Sequence, residues 1–145
     1  MPTRVVAVSV GYFHTAALDL NGAVWTFGRG ADGSLGLGSE ADERVPRRVR
    51  GLPRVVAVSA GCSHCVAVDE QGRAWAWGYG GHGRLGLGDE SDRWSPTLVD
   101  ALSAHTIVAA SAGSGHTAFV TSTGALLTCG RGLQGRLGLG SEADE

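Results

Sequence analysis

The sequence predicts an all-β chain of about three repeated units, each made of four short antiparallel strands. Three observations carry that prediction. The segment Arg4-Val-Val-Ala-Val-Ser9 returns letter for letter as Arg54–Ser59, and more loosely as Thr106–Ser111. Residues 4–43 and 54–93 agree at 21 of 40 positions. Of the 24 glycines, 21 stand in seven columns present in every unit: Gly11/61/113, Gly22/72/124, Gly28/78/130, Gly30/80/132, Gly33/83/135, Gly36/86/138 and Gly38/88/140. Glycine that recurs at fixed places marks one backbone geometry used three times, with positive φ or close approach where it falls.

Within the first unit, Val5–Ser9 is almost continuously apolar, which predicts a strand buried on both faces. His14–Leu20 reads as the second strand. Asn21-Gly22 then signals a two-residue hairpin of the primed type, with Gln71-Gly72 and Thr123-Gly124 in the same place. Ala23–Gly28 reads as the third strand, with Trp25 and Phe27 on one face. A Gly-rich crossing containing Leu-Gly-Leu-Gly follows, from Asp32 to Gly38. The fourth strand lies around Val45–Val49 and holds Pro46, which places it at the outer edge of its sheet. No helical period of useful length appears. Four strands per unit of roughly 50 residues point to the blades of a β-propeller.

The units run 4–53, 54–105 and 106–145. The third stops before the counterpart of Val45-Pro46-Arg47-Arg48-Val49, so its blade is expected to be incomplete, with an unpaired edge. Propellers close with about 4–8 blades. The sequence leaves three readings open: a piece of a longer array, closure by self-association (two chains supplying six blades), or an open stack of neighbours.

The units resemble the repeats of the regulator of chromosome condensation (RCC1) family. The matching residues are Val-Ser-x-Gly-x-x-His (Val8–His14, Val58–His64), Phe27-Gly28 and Trp77-Gly78, and Gly-x-Leu-Gly-Leu-Gly (Gly33–Gly38, Gly83–Gly88, Gly135–Gly140). Pro46 with Val49, and Pro96 with Val99, complete the pattern. The resemblance implies a propeller, usually of seven four-stranded blades. It also implies, as one expectation, guanine-nucleotide exchange on a small GTPase, the activity of the founding member.

Composition narrows the function classes. The formal net charge is −2 and 18% of residues are charged. These values exclude a highly charged disordered tail and a nucleic-acid module driven by bulk charge. No apolar run approaches the ~20 residues of a membrane span. Met1-Pro2-Thr3-Arg4 runs straight into strand-like sequence, with no signal peptide visible. Three cysteines with no evident pairing suggest a reducing compartment, cytoplasmic or nuclear.

Candidate chemistry is weighed against the repeat. Gly28–Gly33, Gly78–Gly83 and Gly130–Gly135 fit G-x-G-x-x-G, but no helix follows to hold a pyrophosphate. Cys62-Ser-His-Cys65 has metal-ligand spacing, yet its columns hold Tyr12 and Ser114, and Thr15 and Thr117. Cys129 aligns with Phe27 and Trp77 and reads as a small buried hydrophobe. His14, His64 and His116 share a column and read as strand-edge groups that satisfy backbone; His82 and His105 read as exposed loop residues. Trp25 and Trp75 read as core. Plant ultraviolet-B photoreceptors carry Gly-Trp-Arg-His-Thr, whereas Gly11-Tyr-Phe-His-Thr15 stands here, which argues against light sensing.

Two charged groups remain. Glu40, Asp42 and Glu43, then Asp89, Glu90 and Asp92, then Glu142, Asp144 and Glu145 follow Leu-Gly-Leu-Gly in each unit and hold nine of the 14 acids. Equivalent loops of stacked blades share a rim, so these form a candidate acidic surface for a basic partner. Arg44, Arg47, Arg48, Arg50 and Arg54 form a basic stretch that the second unit lacks, a candidate contact for phosphate or acidic protein. The expectation is a non-catalytic interaction scaffold that needs no metal or cofactor and binds a protein rather than a membrane. GTPase exchange is the alternative, and chromatin or nucleic-acid binding through the arginines a weaker second.

Overall fold

A computed structural model describes Pro2 and residues 4–145. The chain forms three antiparallel sheets. The first takes β1 (Val5–Val10), β2 (His14–Asp19), β3 (Val24–Gly28) and β4 (Glu43–Arg48) in chain order. The second repeats it with β5 (Val55–Ala60), β6 (His64–Asp69), β7 (Ala74–Gly78) and β8 (Arg93–Leu98). The third has β9 (Ile107–Ala112), β10 (His116–Thr121) and β11 (Leu126–Gly130). Pro46 and Pro96 sit on the outermost strands, where the missing N–H is harmless. Among the described residues no helix is long and apolar enough to cross a membrane.

The sheets stack through their inner strands: β1 and β2 meet β5, and β5 and β6 meet β9. Two apolar seams result. Ala16, Leu18, Val55, Ala60, Cys65 and Trp77 close the first seam; Val66, Val68, Leu85, Ile107 and Phe119 close the second. Hydrophobic burial thus happens between blades as much as within them, since one thin sheet has no inside of its own.

The Leu-Gly-Leu-Gly crossing is the wedge between blades. Gly36 has φ +70°, and a Cβ there would stand 2.8 Å from the Trp77 indole nitrogen of the next blade. The indole N–H donates to the Ser34 carbonyl at 3.2 Å, and the ring is fully buried. A glycine is needed at this place both for the left-handed turn and for the approach.

Four expectations are corrected. The first strand is not buried on both faces: Val8 and Val10 are 64% and 70% exposed, because no sheet covers that side of β1. The hairpin is not a two-residue primed turn. Of its residues only Gly22 has positive φ (80°), and the Gly22 N–H donates to the Asp19 carbonyl. That is a three-residue loop with a left-handed glycine. It is set by the Asp19 carboxylate, which accepts from the Asn21 and Ala23 N–H groups. Trp25 and Trp75 are half-buried, and Trp77 is the tryptophan of the core. Cys129 is half-buried rather than enclosed, though burial still pushes its thiol up to about 11.

Candidate interaction surface

Antiparallel pairing sorts the loops onto two edges. His14 pairs with Gly28, so the β1–β2 turn and the long β3–β4 loop emerge on the same edge in each blade. The acidic groups belong to that long loop.

Six of the nine acids brace the loop from which they project. The Gly30 N–H donates to Asp42 Oδ1, Gly80 to Asp92 Oδ1 and Gly132 to Asp144 Oδ1, at 2.9, 2.9 and 2.8 Å. The N–H groups of Asp32, His82 and Gln134 donate to Glu40, Glu90 and Glu142 at 3.2, 2.8 and 3.1 Å. Asp32, His82 and Gln134 have φ of 61–63°, a left-handed state uncommon outside glycine. The side-chain clamp holds the backbone there. All six acids remain solvent-facing. Of the others, Glu43 pairs with Arg47 at 3.1 Å and Asp89 with Arg93 at 3.0 Å. The Glu145 backbone pairs with Gly130, in the register that Glu43 and Arg93 keep with Gly28 and Gly78.

The basic residues do not form one patch. Arg47, Arg48 and Arg50 line a shallow cleft of about 490 Å³ with Trp25, Leu37 and Pro46. Arg44 is exposed on β4. Arg54 lies apart: its guanidinium donates to the carbonyls of Leu20 and Asn21, both at 3.2 Å, tying the second blade to the first blade's hairpin.

The histidine column bonds across the seams, not to strand-edge backbone. His14 Nε2 meets Cys65 Sγ at 3.2 Å, and His64 Nε2 meets Thr117 Oγ1 at 2.8 Å. Burial drives His64 down to about 3 and lowers His14 and His116 as well, so these rings are neutral at ordinary pH. Cys65 is thus a seam residue with its thiol pushed strongly upward by burial, not half of a metal pair. His82 is no free loop residue: its Nδ1 lies 2.8 Å from Asp144 Oδ2 of the next blade.

Sequence reasoning passed over Asp19 and Asp69. Each is buried at a β-hairpin and accepts two backbone N–H bonds plus a tryptophan N–H, from Trp25 at 2.8 Å and Trp75 at 3.0 Å. Burial alone would raise both carboxyls, but these bonds outweigh it and hold them below the usual carboxylate range. The recurrence Asp-x-x-Gly-x-x-Trp was the available signal. An apolar cleft of about 450 Å³ also opens beside β11, lined by Val99, Leu102, Phe119, Leu127 and Leu137.

Repeated four-stranded sheets, glycine wedges and seam histidines define a propeller-blade repeat protein. Models of the Regulator of chromosome condensation (RCC1) repeat match residues 21–68 and 71–120, and residues 5–34, 55–84 and 107–136. The chain belongs to the RCC1 repeat family. It is 43% identical over 49 residues to the human E3 ubiquitin-protein ligase HERC2, and 39% identical over 49 residues to the ultraviolet-B receptor UVR8 of Arabidopsis thaliana. Each match covers 34% of this chain, but only 1% and 11% of those proteins. The structure superposes on human WBSCR16 with a TM-score of 0.84 at 22% identity, over 97% of this chain and 38% of that one. It superposes on Prp20p of Saccharomyces cerevisiae, studied for its binding to Gsp1p and histones, with a TM-score of 0.71 at 27% identity, over 79% of this chain and 30% of that one.

Proposed function

We propose that this chain is a non-catalytic scaffold that presents the acidic β3–β4 loops of successive blades to a basic protein surface. The observation behind this reading is the double clamp. In each blade an Asp and a Glu spend one oxygen on loop N–H groups and stay solvent-facing. A loop fixed before binding loses little conformational entropy on association. Prp20p, a similar structure, is described by its binding to histones, which are basic. Three free cysteines suit a reducing compartment, nuclear or cytoplasmic.

Core histones are the probe. The triple variant Glu40→Gln, Glu90→Gln and Glu142→Gln keeps an acceptor oxygen for each clamp while removing three charges. We expect it to keep its fold and to bind histones at least tenfold more weakly at low salt; equal binding would refute the acidic-rim reading. The other reading, exchange on a small GTPase, is favoured by Prp20p's description with Gsp1p. It requires faster release of a fluorescent guanine nucleotide from Gsp1p, and an unchanged release rate would remove it.

A further inference from the structure

We propose that two copies of this chain join head to tail and close a six-bladed ring. The seams already present supply the pattern. At each one, a serine hydroxyl of the leading blade accepts a strand N–H from the following blade: Ser9 from Ala60 at 2.9 Å, and Ser59 from Ala112 at 3.0 Å. A histidine of the leading blade reaches a Cys or Thr of the following one, His14 to Cys65 and His64 to Thr117. At the second seam, Arg84 also donates to the Ser114 carbonyl at 2.9 Å, and His82 pairs with Asp144.

The two outer faces continue these columns. The third blade leaves Ser111, His116, Gln134 and Arg136 at the leading positions. The first blade leaves the Val10 N–H, Thr15, Asp42 and the Tyr12 carbonyl at the following positions. Placed together, Ser111 accepts from Val10, His116 meets Thr15, Arg136 donates to Tyr12, and the Gln134 amide donates to Asp42. Phe27 takes the slot that Trp77 and Cys129 fill under the preceding blade's glycine loop. The apolar surface agrees. Val8 and Val10 are 64% and 70% exposed, whereas their counterparts Val58 and Ala60 pack into a seam, Ala60 at 6%. Every donor on one face therefore has its acceptor on the other face of the same sequence. A head-to-tail contact that closes after two copies has two-fold symmetry, and six blades lie inside the range of closed propellers.

Sedimentation equilibrium of the 145-residue chain over a wide concentration range is the test. The expected mass is twice 14.8 kDa. Val10→Glu, which puts a charge into the new seam at an exposed position, should return the mass to 14.8 kDa with an unchanged β-sheet circular dichroism spectrum. Should that variant lose its spectrum, Val8→Glu takes its place. Val45→Glu on β4, exposed but away from the seam, should keep the doubled mass. A wild type at 14.8 kDa throughout would overturn the proposal. So would a ladder of larger masses, which marks an open filament, or a charged variant that still dimerises.

Discussion

The middle and third blades share their glycine columns, their strand order and even the same left-handed turns, yet they differ in what they bury. All six residues of β6 are buried, as are Trp77 and His64. Their counterparts on β10 and β11 alternate between buried and open, and Leu126 is 67% exposed. The backbone is the same; the neighbours are not. A blade of this kind is a surface waiting for a second surface, and its stability is a nearest-neighbour quantity.

That comparison can be broken most directly at Trp77. Replacing a fully buried tryptophan by alanine costs about 3–5 kcal/mol. Phe27→Ala, in the same column but with no blade stacked over it, should cost less than half as much. Equal losses in urea denaturation would show that blades are stabilised internally rather than by stacking.

Asp69 comes next. Asp69→Ala strips the acceptor from two backbone N–H groups, the Trp75 indole and Arg73, and should cost roughly 2–4 kcal/mol. The third blade uses Thr121 there, with one backbone N–H, from Ala125, and a contact to Thr123. Thr121→Ala should therefore cost about 1 kcal/mol. Thermal melts of both variants measure the ratio.

Acid sharpens the contrast at lower amplitude. His64 is held neutral in the folded chain with its pKa at about 3, whereas the unfolded chain protonates it near pH 6.5. Between those values the unfolded state binds the extra proton. Stability is thus complete above pH 6.5 and falls as pH drops below it, by about 2 kcal/mol at pH 5. His64→Gln, which cannot protonate, should flatten this slope, and an unchanged slope would assign it elsewhere. Asp19 and Asp69, whose carboxyls lie low, add their own loss only below about pH 4. The smallest effect belongs to Arg47→Ala. It removes an exposed pair with Glu43 and should shift stability by less than about 0.5 kcal/mol.

The glycine columns made the strand count, the strand order and the outer position of Pro46 readable from sequence, because backbone geometry leaves its mark within each unit. Contacts across a seam leave no such mark. His14 and Cys65 are 51 positions apart, and nothing local ties an imidazole to the thiol of the following sheet. The exposure of Val8 was misjudged for the same reason: apolar sequence records the wish for a partner, not its presence. The acidic groups were visible as charge. What periodicity did show, unread, was that Asp42, Asp92 and Asp144 each stand 12 residues after the glycine whose N–H they bind. Arg54 was grouped with its sequence neighbours when its chemistry belongs to the preceding hairpin.

Asp32, His82 and Gln134 hold a conformation in which glycine would be at ease, yet none of them is glycine. The contorted backbone turns a side chain toward the adjoining blade, and its identity changes from one blade to the next. His82 finds a carboxylate opposite it in Asp144. A module moved to another place in the series would keep its shape and meet the wrong letter. Order along the fan is thus written in three tight bends, at the cost of a little torsional discomfort in each.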